Sequence, residues 1–240
     1  MNNLKVNLNN VRARVASACE RAGRRPEEIA ILAVSKKHSP ERILAMRQLG
    51  QHAFGENYVQ EAIGKMKRLA EMAGPEISFE WHFIGPLQSN KTRDVAQNFA
   101  WVQSVDRIKL LKRLSDQRPA ERPDLNICIQ VNIDREPQKA GVLPEQLPEI
   151  VKAALALPGL RLRGLMTIPM AAIGGHDPSA SYEQMSDLYD GLIGDGLDLD
   201  TLSMGMSADL EAAIMHGSTM VRIGTDLFGP RPPDSDTNQE

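Results

Sequence analysis

The length, composition and charge of the chain are those of an ordinary globular protein. Its 240 residues are enough for one large domain with a well-buried core or for two small ones, and length alone does not choose between them. Hydrophobic residues make up 42% of the chain and charged residues 25%, and the net charge of −3 provides no positive field to attract nucleic acid or an anionic membrane. These values argue against nucleic-acid and membrane-surface partners and favour a small molecule.

The cysteines and the amino terminus argue against a disulfide-rich, zinc-binding or secreted protein. Cys19 and Cys128 are too few for a disulfide framework and wrongly spaced for a zinc site, so we expect two small, buried thiols. Residues 1–6 lack the continuous apolar stretch of a signal peptide, and no later segment approaches the length of a membrane span. We therefore expect a cytoplasmic protein.

Strand-like apolar runs alternate with amphipathic stretches of helical period. The predicted strands are Ile29–Ser35, Gln51–Gly55, Phe79–Gly85, Ala100–Val105, Leu125–Ile133, Leu160–Ile168, Leu199–Met206 and Met220–Gly224. The predicted helices are Pro40–Leu49, Tyr58–Ala73, Asp106–Gln117, Pro144–Ala156, Ser179–Ile193 and Ser207–His216. Such alternation within roughly 200 residues predicts parallel strands with crossover helices, and so an α/β fold, a single-domain (β/α)8 TIM barrel.

An open, doubly wound sheet is the alternative, but it usually has a glycine-rich turn after its first strand, and Ser35–Pro40 contains no glycine. The amphipathic segment Val6–Ala22 is expected to cover the barrel where no full helix follows the eighth strand. The sequence after Phe228 is too polar and proline-rich to pack, so we expect residues 232–240 to form a disordered tail after a barrel domain of residues 1–231.

Lys36 closes the first predicted strand, so a lone amine follows an apolar run. A lysine against apolar walls loses hydration of its charged form, which lowers its pKa and leaves more neutral amine to condense with an aldehyde. The alternative is a solvated residue at the end of a strand. Lys91 ends a turn that leads into a predicted helix, and Lys139 lies in a predicted loop. Both are expected to be solvated, although Lys139 could act as a second amine at the barrel mouth.

Small residues follow the seventh and eighth predicted strands, where barrels of this kind often hold a phosphate. They are Ser203, Gly205 and Ser207 in the first loop, and Gly224 and Thr225 in the second. Glycines let backbone amides approach an anion and hydroxyl groups add donors, so the two loops together could cradle a phosphate. Alternatively, Ser207 is an ordinary N-cap, and Asp209 and Glu211 simply complement a helix dipole.

Strand alternation places Arg222 inside the predicted barrel, on the same face as Met220. An unpaired guanidinium is costly there, so Arg222 needs a partner. One possibility is a buried ion pair with Glu56, and the other is a ligand nitrogen or oxygen.

His82 and Asn57 lie near the ends of two further strands. Alternation turns His82 inward, either as a histidine whose hydrogen bonds are satisfied within the core or as a residue of the site. Asn57 could reach the same mouth, or it could cap the helix predicted over Tyr58–Ala73.

Several continuous blocks resemble the pyridoxal phosphate homeostasis protein family, single-domain relatives of the amino-terminal barrel of alanine racemase. The blocks are Ala33–Lys36, Phe54–Tyr58, His82–Lys91, Gly164–Ile168, Leu202–Ile214 and Gly217–Gly229. The similarity covers nearly the whole chain. Lys37 and His38 depart from it, because relatives usually carry threonine and a variable residue there, and so does the polar tail.

By this resemblance, Lys36 holds pyridoxal 5′-phosphate (PLP) as a Schiff base and Arg222 meets the pyridine nitrogen. The phosphate is expected among Ser203, Gly205, Ser207, Gly224 and Thr225, and the ring beside Asn57 and His82. An arginine does not readily give up its proton, so it keeps the ring nitrogen unprotonated and weakens the cofactor as an electron sink.

The family resemblance implies a protein that stores, buffers or delivers PLP, with apo-enzymes that accept PLP as candidate partners. The alternative is an amino-acid racemase, which needs an acid or base on each face of the α-carbon. In alanine racemase the second base is a tyrosine of an added β-domain, whereas the tyrosines here are Tyr58, Tyr182 and Tyr189. We therefore expect no sustained turnover. A Schiff-base aldolase would usually carry its lysine on a later strand, and Gly164–Ile168 contains none.

Overall fold

The fold is a closed barrel of eight parallel strands. The computed structural model describes residues 2–74, 76–170 and 177–230. The strands are β1 (Ala30–Val34), β2 (Ala53–Glu56), β3 (Glu80–Phe83), β4 (Trp101–Val105), β5 (Leu125–Gln130), β6 (Leu160–Met166), β7 (Thr201–Ser203) and β8 (Met220–Ile223). They pair in chain order, and β8 pairs with β1 to close the barrel. The predicted (β/α)8 architecture is confirmed.

Helices follow the strands on the outside of the barrel. They are α1 (Asn2–Ala22), α2 (Pro40–Gln48), α3 (Val59–Ala73), α4 (Thr92–Asn98), α5 (Ile108–Gln117), α6 (Leu147–Leu155), α7 (Ser179–Gly194), α8 (Leu210–Met215) and α9 (Thr225–Phe228). The main core lies between these helices and the sheet. The sequence predicted that the turn ending at Lys91 leads into a helix, and α4 begins there at Thr92. It predicted only a short turn where α9 lies, because an element of four residues is too short for a helical period to stand out.

Several strands are shorter than predicted, because their last residues turn away to form the barrel mouth. The clearest case is β7, predicted over Leu199–Met206 but ending at Ser203. Gly205 has φ +95, a left-handed conformation outside strand geometry. A Cβ on Gly205 would lie 2.5 Å from Cβ of Ala213, so glycine is required where this loop passes α8.

The first helix covers the barrel as expected. Leu8, Val11 and Val15 are buried along one face of α1, which packs against α8, α9 and α2. Cys19 in α1 and Cys128 in β5 are both buried and free, which confirms the prediction made for them. The tail predicted at residues 232–240 lies outside the described residues.

The barrel interior contains two small apolar clusters besides the main core. One comprises Leu32, Ile84 and Met220, and the other Trp101, Cys128 and Met166. Polar side chains link them: the ring of His82 stacks on Trp101 at 4.9 Å between centroids, and Gln103 Nε2 lies 3.1 Å from Sδ of Met220.

The described part of the chain gives no sign of a metal site or a membrane span. Within residues 2–74, 76–170 and 177–230, no group of three or more potential metal ligands is found. The helices in the same ranges are not both long and apolar enough to cross a membrane.

Candidate functional site

A cavity of about 280 Å³ opens at the carboxyl ends of the strands, the end of the barrel at which ligands bind in this fold. Its volume is close to that of the smallest ligand pockets. The wall is formed by Val34, Lys36, His38, Asn57, Ile84, Ile168, Met206, Ser207, Ala208, Arg222, Gly224 and Thr225. The structure thus brings together most of the predicted site residues, from loops far apart in the sequence.

Three predicted site residues, His82, Ser203 and Gly205, do not line this cavity. His82 is fully buried below it, and Ile84, two residues further along, takes the place at the wall. The Ser203 hydroxyl is occupied, since it donates to Gln103 Oε1 at 2.7 Å and accepts from Arg222 at 2.8 Å. Gly205 faces α8, and its carbonyl accepts the backbone N–H of Arg222 at 3.0 Å.

Lys36 stands half-buried in the turn that follows β1. That turn is held from below by the buried side chain of Lys65, whose Nζ donates to the Ser35 carbonyl at 2.8 Å. Lys65 Nζ also lies 2.9 Å from Glu56 Oε1 and 2.6 Å from Glu61 Oε1. This anchor could not be predicted from the sequence, because a lysine in the middle of an amphipathic helix normally points into solvent.

Glu56 is the buried acid of this anchor. Its Oε1 accepts from the Ser35 hydroxyl at 2.6 Å and pairs with Lys65, while Oε2 has no partner among the described residues. Burial raises the pKa of Glu56, against the lowering effects of Lys65 and Ser35. The suggested ion pair between Glu56 and Arg222 is wrong, because Lys65 from α3 occupies the carboxylate.

Arg222 points into the barrel, as the alternation predicted, and its partners are neutral. NH1 donates to the Ser203 carbonyl and hydroxyl, both at 2.8 Å, and NH2 donates to the Thr167 carbonyl at 2.7 Å. Within the described residues its Nε–H donates to no acceptor, although the residue lines the cavity. Burial lowers the pKa of Arg222, but a guanidinium stays protonated in proteins. The cavity floor therefore carries a fixed cation with a spare donor.

Two loops on the cavity wall offer donors to an anion. The backbone N–H groups of Ser207 and Ala208, and those of Thr225 and Asp226 in the first turn of α9, donate no hydrogen bond within the described residues. Unpaired amides next to hydroxyl groups suit a phosphate. Ser207 is not the N-cap of α8, a position held by Asp209, whose Oδ1 accepts from Met206 N at 2.6 Å.

Arg14 of α1 ties these two loops together. Its NH2 donates to the Ser207 carbonyl at 2.9 Å, and its NH1 lies 2.5 Å from Asp226 Oδ2. Nε and NH2 also bind the two carboxylate oxygens of Glu211, at 2.7 and 2.8 Å. Hydrogen bonding to Arg14 lowers the pKa of Glu211. Glu211 therefore does more than complement the dipole of α8, because it also holds the Arg14 guanidinium in place.

Arg14→Ala is expected to weaken binding of inorganic phosphate by about fivefold, about 1 kcal/mol, because the loops lose their common anchor. Isothermal titration calorimetry with phosphate measures the effect. Arg12→Ala is the matched control, because Arg12 is exposed on the same helix and its loss changes the net charge equally. Equal affinities in both variants and in the parent protein would contradict the anchoring role.

Asn57 and the apolar residues complete the wall. Asn57 does not cap α3, which begins after Tyr58 without a side-chain cap, so the suggested capping role is wrong. Its Oδ1 is buried with no partner among the described residues, an arrangement that suits a ligand donor. The backbone of Asn57 lies against Gly85, and a Cβ added to Gly85 would be 2.2 Å from the carbonyl oxygen of Asn57.

Several wall residues were not predicted from the sequence. His38 stacks on Phe228, with ring centroids 4.7 Å apart, and so connects the β1 loop to α9. Ile84 and Ile168 supply apolar surface on which a flat ring could lie. Ile84 could have been predicted from the sequence, because it lies two residues after His82 and the same alternation turns it inward.

The burial of His82 predicts a pH-dependent stability. Burial lowers the pKa of His82 from its ordinary 6.5; Glu80 on β3 opposes this and Arg163 on β6 adds to it. A depressed pKa means that the unfolded chain takes up the proton first, so stability is full above pH 6.5 and falls as the pH drops towards the folded pKa.

Urea denaturation between pH 7.5 and 5 is therefore expected to show the parent protein losing stability more steeply than His82→Gln. The difference in slope can reach about 1.4 kcal/mol per pH unit, the limit for one proton. Parallel pH profiles for the two proteins would mean that folding does not lower the pKa of His82.

Comparisons with known proteins agree with this fold. Residues 6–232 match the family model for the N-terminal domain of alanine racemase. A pyridoxal phosphate homeostasis protein from Pseudomonas aeruginosa is 48% identical over 231 residues, covering 96% of this chain and 97% of the relative. One from Escherichia coli K12 is 48% identical over 238 residues, covering 96% of this chain and 98% of the relative.

A solved structure with a bound ligand is also similar. The structure of PipY from Synechococcus elongatus PCC7942 with PLP bound is 35% identical, with a TM-score of 0.77, and the match covers 91% of this chain and 100% of that one. Both the full-length sequence matches and the barrel thus lead to one family. The chain belongs to the pyridoxal phosphate homeostasis protein family, within the group that shares the N-terminal domain of alanine racemase.

Proposed function

We propose that this chain binds PLP covalently through Lys36 and stores, buffers or delivers the cofactor. The observation that carries the proposal is the composition of one cavity. Its wall contains the amine of Lys36, the guanidinium of Arg222 and two loops with backbone N–H groups that donate no hydrogen bond to any described residue. An aldehyde, a ring nitrogen and a phosphate are the features that these groups recognise. Relatives named for PLP homeostasis support the same function.

The polar residues and glycine predicted for the site that line the cavity have defined parts in this proposal. Ser207, Gly224 and Thr225 bind the phosphate, and Arg14 holds their loops in place from behind. The spare donor of Arg222 meets the pyridine nitrogen, and Asn57 contacts the ring or its substituents. PLP itself supplies an electrophilic aldehyde and an electron-withdrawing ring. The arginine keeps that ring nitrogen unprotonated, which favours holding the cofactor over reacting amino acids on it.

The three predicted residues that do not line the cavity act indirectly in this proposal. Ser203 and Gly205 accept hydrogen bonds from Arg222, through the side chain and the backbone respectively. His82 reaches Arg222 through Gln103 and Ser203. We therefore propose that His82 does not line the ring and that Ser203 and Gly205 do not bind the phosphate. All three instead hold Arg222 in place.

A racemase is the competing function, and the positions of the tyrosines favour a carrier. Tyr182 is buried and donates to Asp209 Oδ2 at 2.9 Å, and burial raises its pKa. Tyr189 is buried in α7 on the outside of the barrel, and burial raises its pKa to about 12. Tyr58 is 53% exposed. None of the three is among the residues that form the cavity wall.

The experiment is a titration of the purified protein with PLP, followed by absorption spectroscopy and then by transfer to an apo-enzyme. We expect a new visible absorption band that saturates at one PLP per chain, and recovery of activity when an apo-enzyme that uses PLP is added. Incubation of the loaded protein with an amino acid, followed by chiral analysis, tests the racemase. A spectrum identical to that of free PLP would overturn the proposal.

The proposed acceptors of the cofactor are apo-enzymes that use PLP. We place the exchange in the cytoplasm, where buried free thiols such as Cys19 and Cys128 remain reduced. Comparing the rate of activation by the loaded protein with that by an equal amount of free PLP distinguishes delivery from simple release.

A further inference from the structure

A continuous chain of side-chain hydrogen bonds crosses the barrel interior from Arg222 to Glu80. Arg222 NH1 lies 2.8 Å from Ser203 Oγ, which in turn lies 2.7 Å from Gln103 Oε1. Gln103 Nε2 lies 2.9 Å from His82 Nδ1, and His82 Nε2 lies 2.8 Å from Glu80 Oε1. Arg222 lines the cavity, whereas Glu80 begins β3 at the opposite end of the barrel and is half exposed.

All the donors in this chain point the same way. Arg222 can only donate, so the Ser203 oxygen accepts from it and passes its own proton towards Gln103. The amide of Gln103 therefore presents its N–H to His82, which must accept at Nδ1. The proton of a neutral His82 is then on Nε2, where it meets the Glu80 carboxylate. A cation at one end and an anion at the other fix this order.

The surroundings of His82 preserve the neutral form. Its ring is fully buried and lies nearly parallel to Trp101, at 10° between planes. The charged groups that face it are Glu80 on its own strand and, across the barrel, Arg163, whose guanidinium lies 4.6 Å from the Trp101 ring centroid. Arg163 is itself paired with Asp200. No carboxylate other than Glu80 contacts the ring among the described residues.

Such a chain is an unusual filling for a barrel. Interiors of this fold are normally packed with branched apolar side chains, and buried polar groups cost free energy unless every bond is made. Here His82, Gln103 and Ser203 are all at or near zero exposure, and each is hydrogen-bonded on both sides. Such a network gives Arg222 one orientation, which apolar packing alone does not specify.

We propose that Gln103, Ser203 and His82 are positioning residues that orient the Arg222 guanidinium towards the cofactor ring, with Glu80 fixing the order of the chain from the other end of the barrel. The inference rests on the proposed function, since it concerns how Arg222 meets PLP. Protonation of His82 would put an N–H at Nδ1, opposite the N–H of Gln103. The amide would have to reverse, and the Ser203 hydroxyl would lose its acceptor.

The first test determines the direction of the hydrogen bonds at His82 in the protein without the cofactor. Nitrogen-15 NMR of histidine-labelled protein, with the His82 signal identified by its loss in His82→Gln, reports the tautomer directly. We expect a neutral ring with the proton on Nε2 between pH 6.5 and 8. A proton on Nδ1 would overturn the proposed order, whether or not the protein binds PLP.

The second test compares Gln103→Leu with the parent protein and with Cys128→Ala, a buried interior substitution off the chain. We expect Gln103→Leu to bind PLP about tenfold more weakly, with a shifted absorption maximum, while its affinity for inorganic phosphate is unchanged. Equal loss of phosphate and PLP affinity would indicate general damage and count against a positioning role. Unchanged PLP affinity and spectrum would overturn the proposal.

The outcomes separate this proposal from the proposed function. If the parent protein does not bind PLP, the proposed function fails. The tautomer measurement still shows whether the hydrogen bonds from Arg222 to Glu80 have the proposed order. If the parent protein binds PLP and Gln103→Leu binds it identically, only the positioning role fails. Should Gln103→Leu not fold, Ser203→Ala removes a single oxygen from the chain and carries the same comparison.

Discussion

Lys36→Ala is expected to abolish covalent attachment of PLP and to leave the barrel folded. The side chain stands half-buried at the mouth, in a turn held by Lys65 and Ser35, so its loss removes the nucleophile without opening the core. Surface and ligand-facing changes of this kind usually alter stability by less than about 0.5 kcal/mol. Borohydride reduction of the PLP-treated protein followed by intact mass measurement gives the yield of adduct.

Two lysines provide controls for this result. Lys37→Ala changes the next residue of the same turn, and Lys139→Ala removes the other amine considered for the barrel mouth. Lys139 lies near the cavity, because its Nζ is 3.5 Å from the carbonyl of Ile168 and it also pairs with Glu136. Both controls should keep the adduct. A reduced adduct that persists in Lys36→Ala at the yield of the parent protein would contradict attachment at Lys36.

Lys65→Met is expected to lower the free energy of unfolding by about 3–5 kcal/mol, the range for breaking a buried ion pair. The ammonium group satisfies Glu56, Glu61 and the Ser35 carbonyl at once. Its removal leaves Glu56 fully buried with the Ser35 hydroxyl as its remaining partner among the described residues. Urea denaturation at pH 7.5 measures the loss.

A double variant separates the charge from the shape of the site. Lys65→Met with Glu56→Gln removes the two buried charges and leaves the more exposed Glu61, so it should be more stable than Lys65→Met alone. Arg68→Ala on the same helix is the control, because Arg68 is exposed and pairs only with the exposed Glu71 among the described residues. If Lys65→Met cost no more than Arg68→Ala, the pair would not anchor the turn that carries Lys36.

Alternation in the sequence predicted which side chains face the barrel interior, but not how far each lies from its mouth. His82 and Arg222 both point inward, and only Arg222 reaches the cavity. The height depends on the stagger of neighbouring strands, which a period of two residues does not encode. The sequence therefore identified the right faces, and it placed His82 and Ser203 one layer too high.

Partners of buried polar groups were the other part that the sequence could not provide. The sequence suggested Glu56 as a partner for Arg222, but Glu56 pairs with Lys65 of α3. Arg222 donates to the carbonyl groups of Ser203 and Thr167 instead. Such pairings join residues far apart in the chain and are decided by tertiary contacts. By contrast, the loops around Ser207 and Thr225 were predictable, because they follow consecutive strands whose ends meet at one mouth.

The most direct test of the central claim is a crystal structure of the protein with PLP. The account predicts electron density continuous with Lys36 Nζ, a phosphate between the loops of Ser207 and Thr225, and a ring nitrogen within hydrogen-bonding distance of Arg222. Density for PLP joined to another lysine, or a phosphate bound away from these two loops, would contradict it.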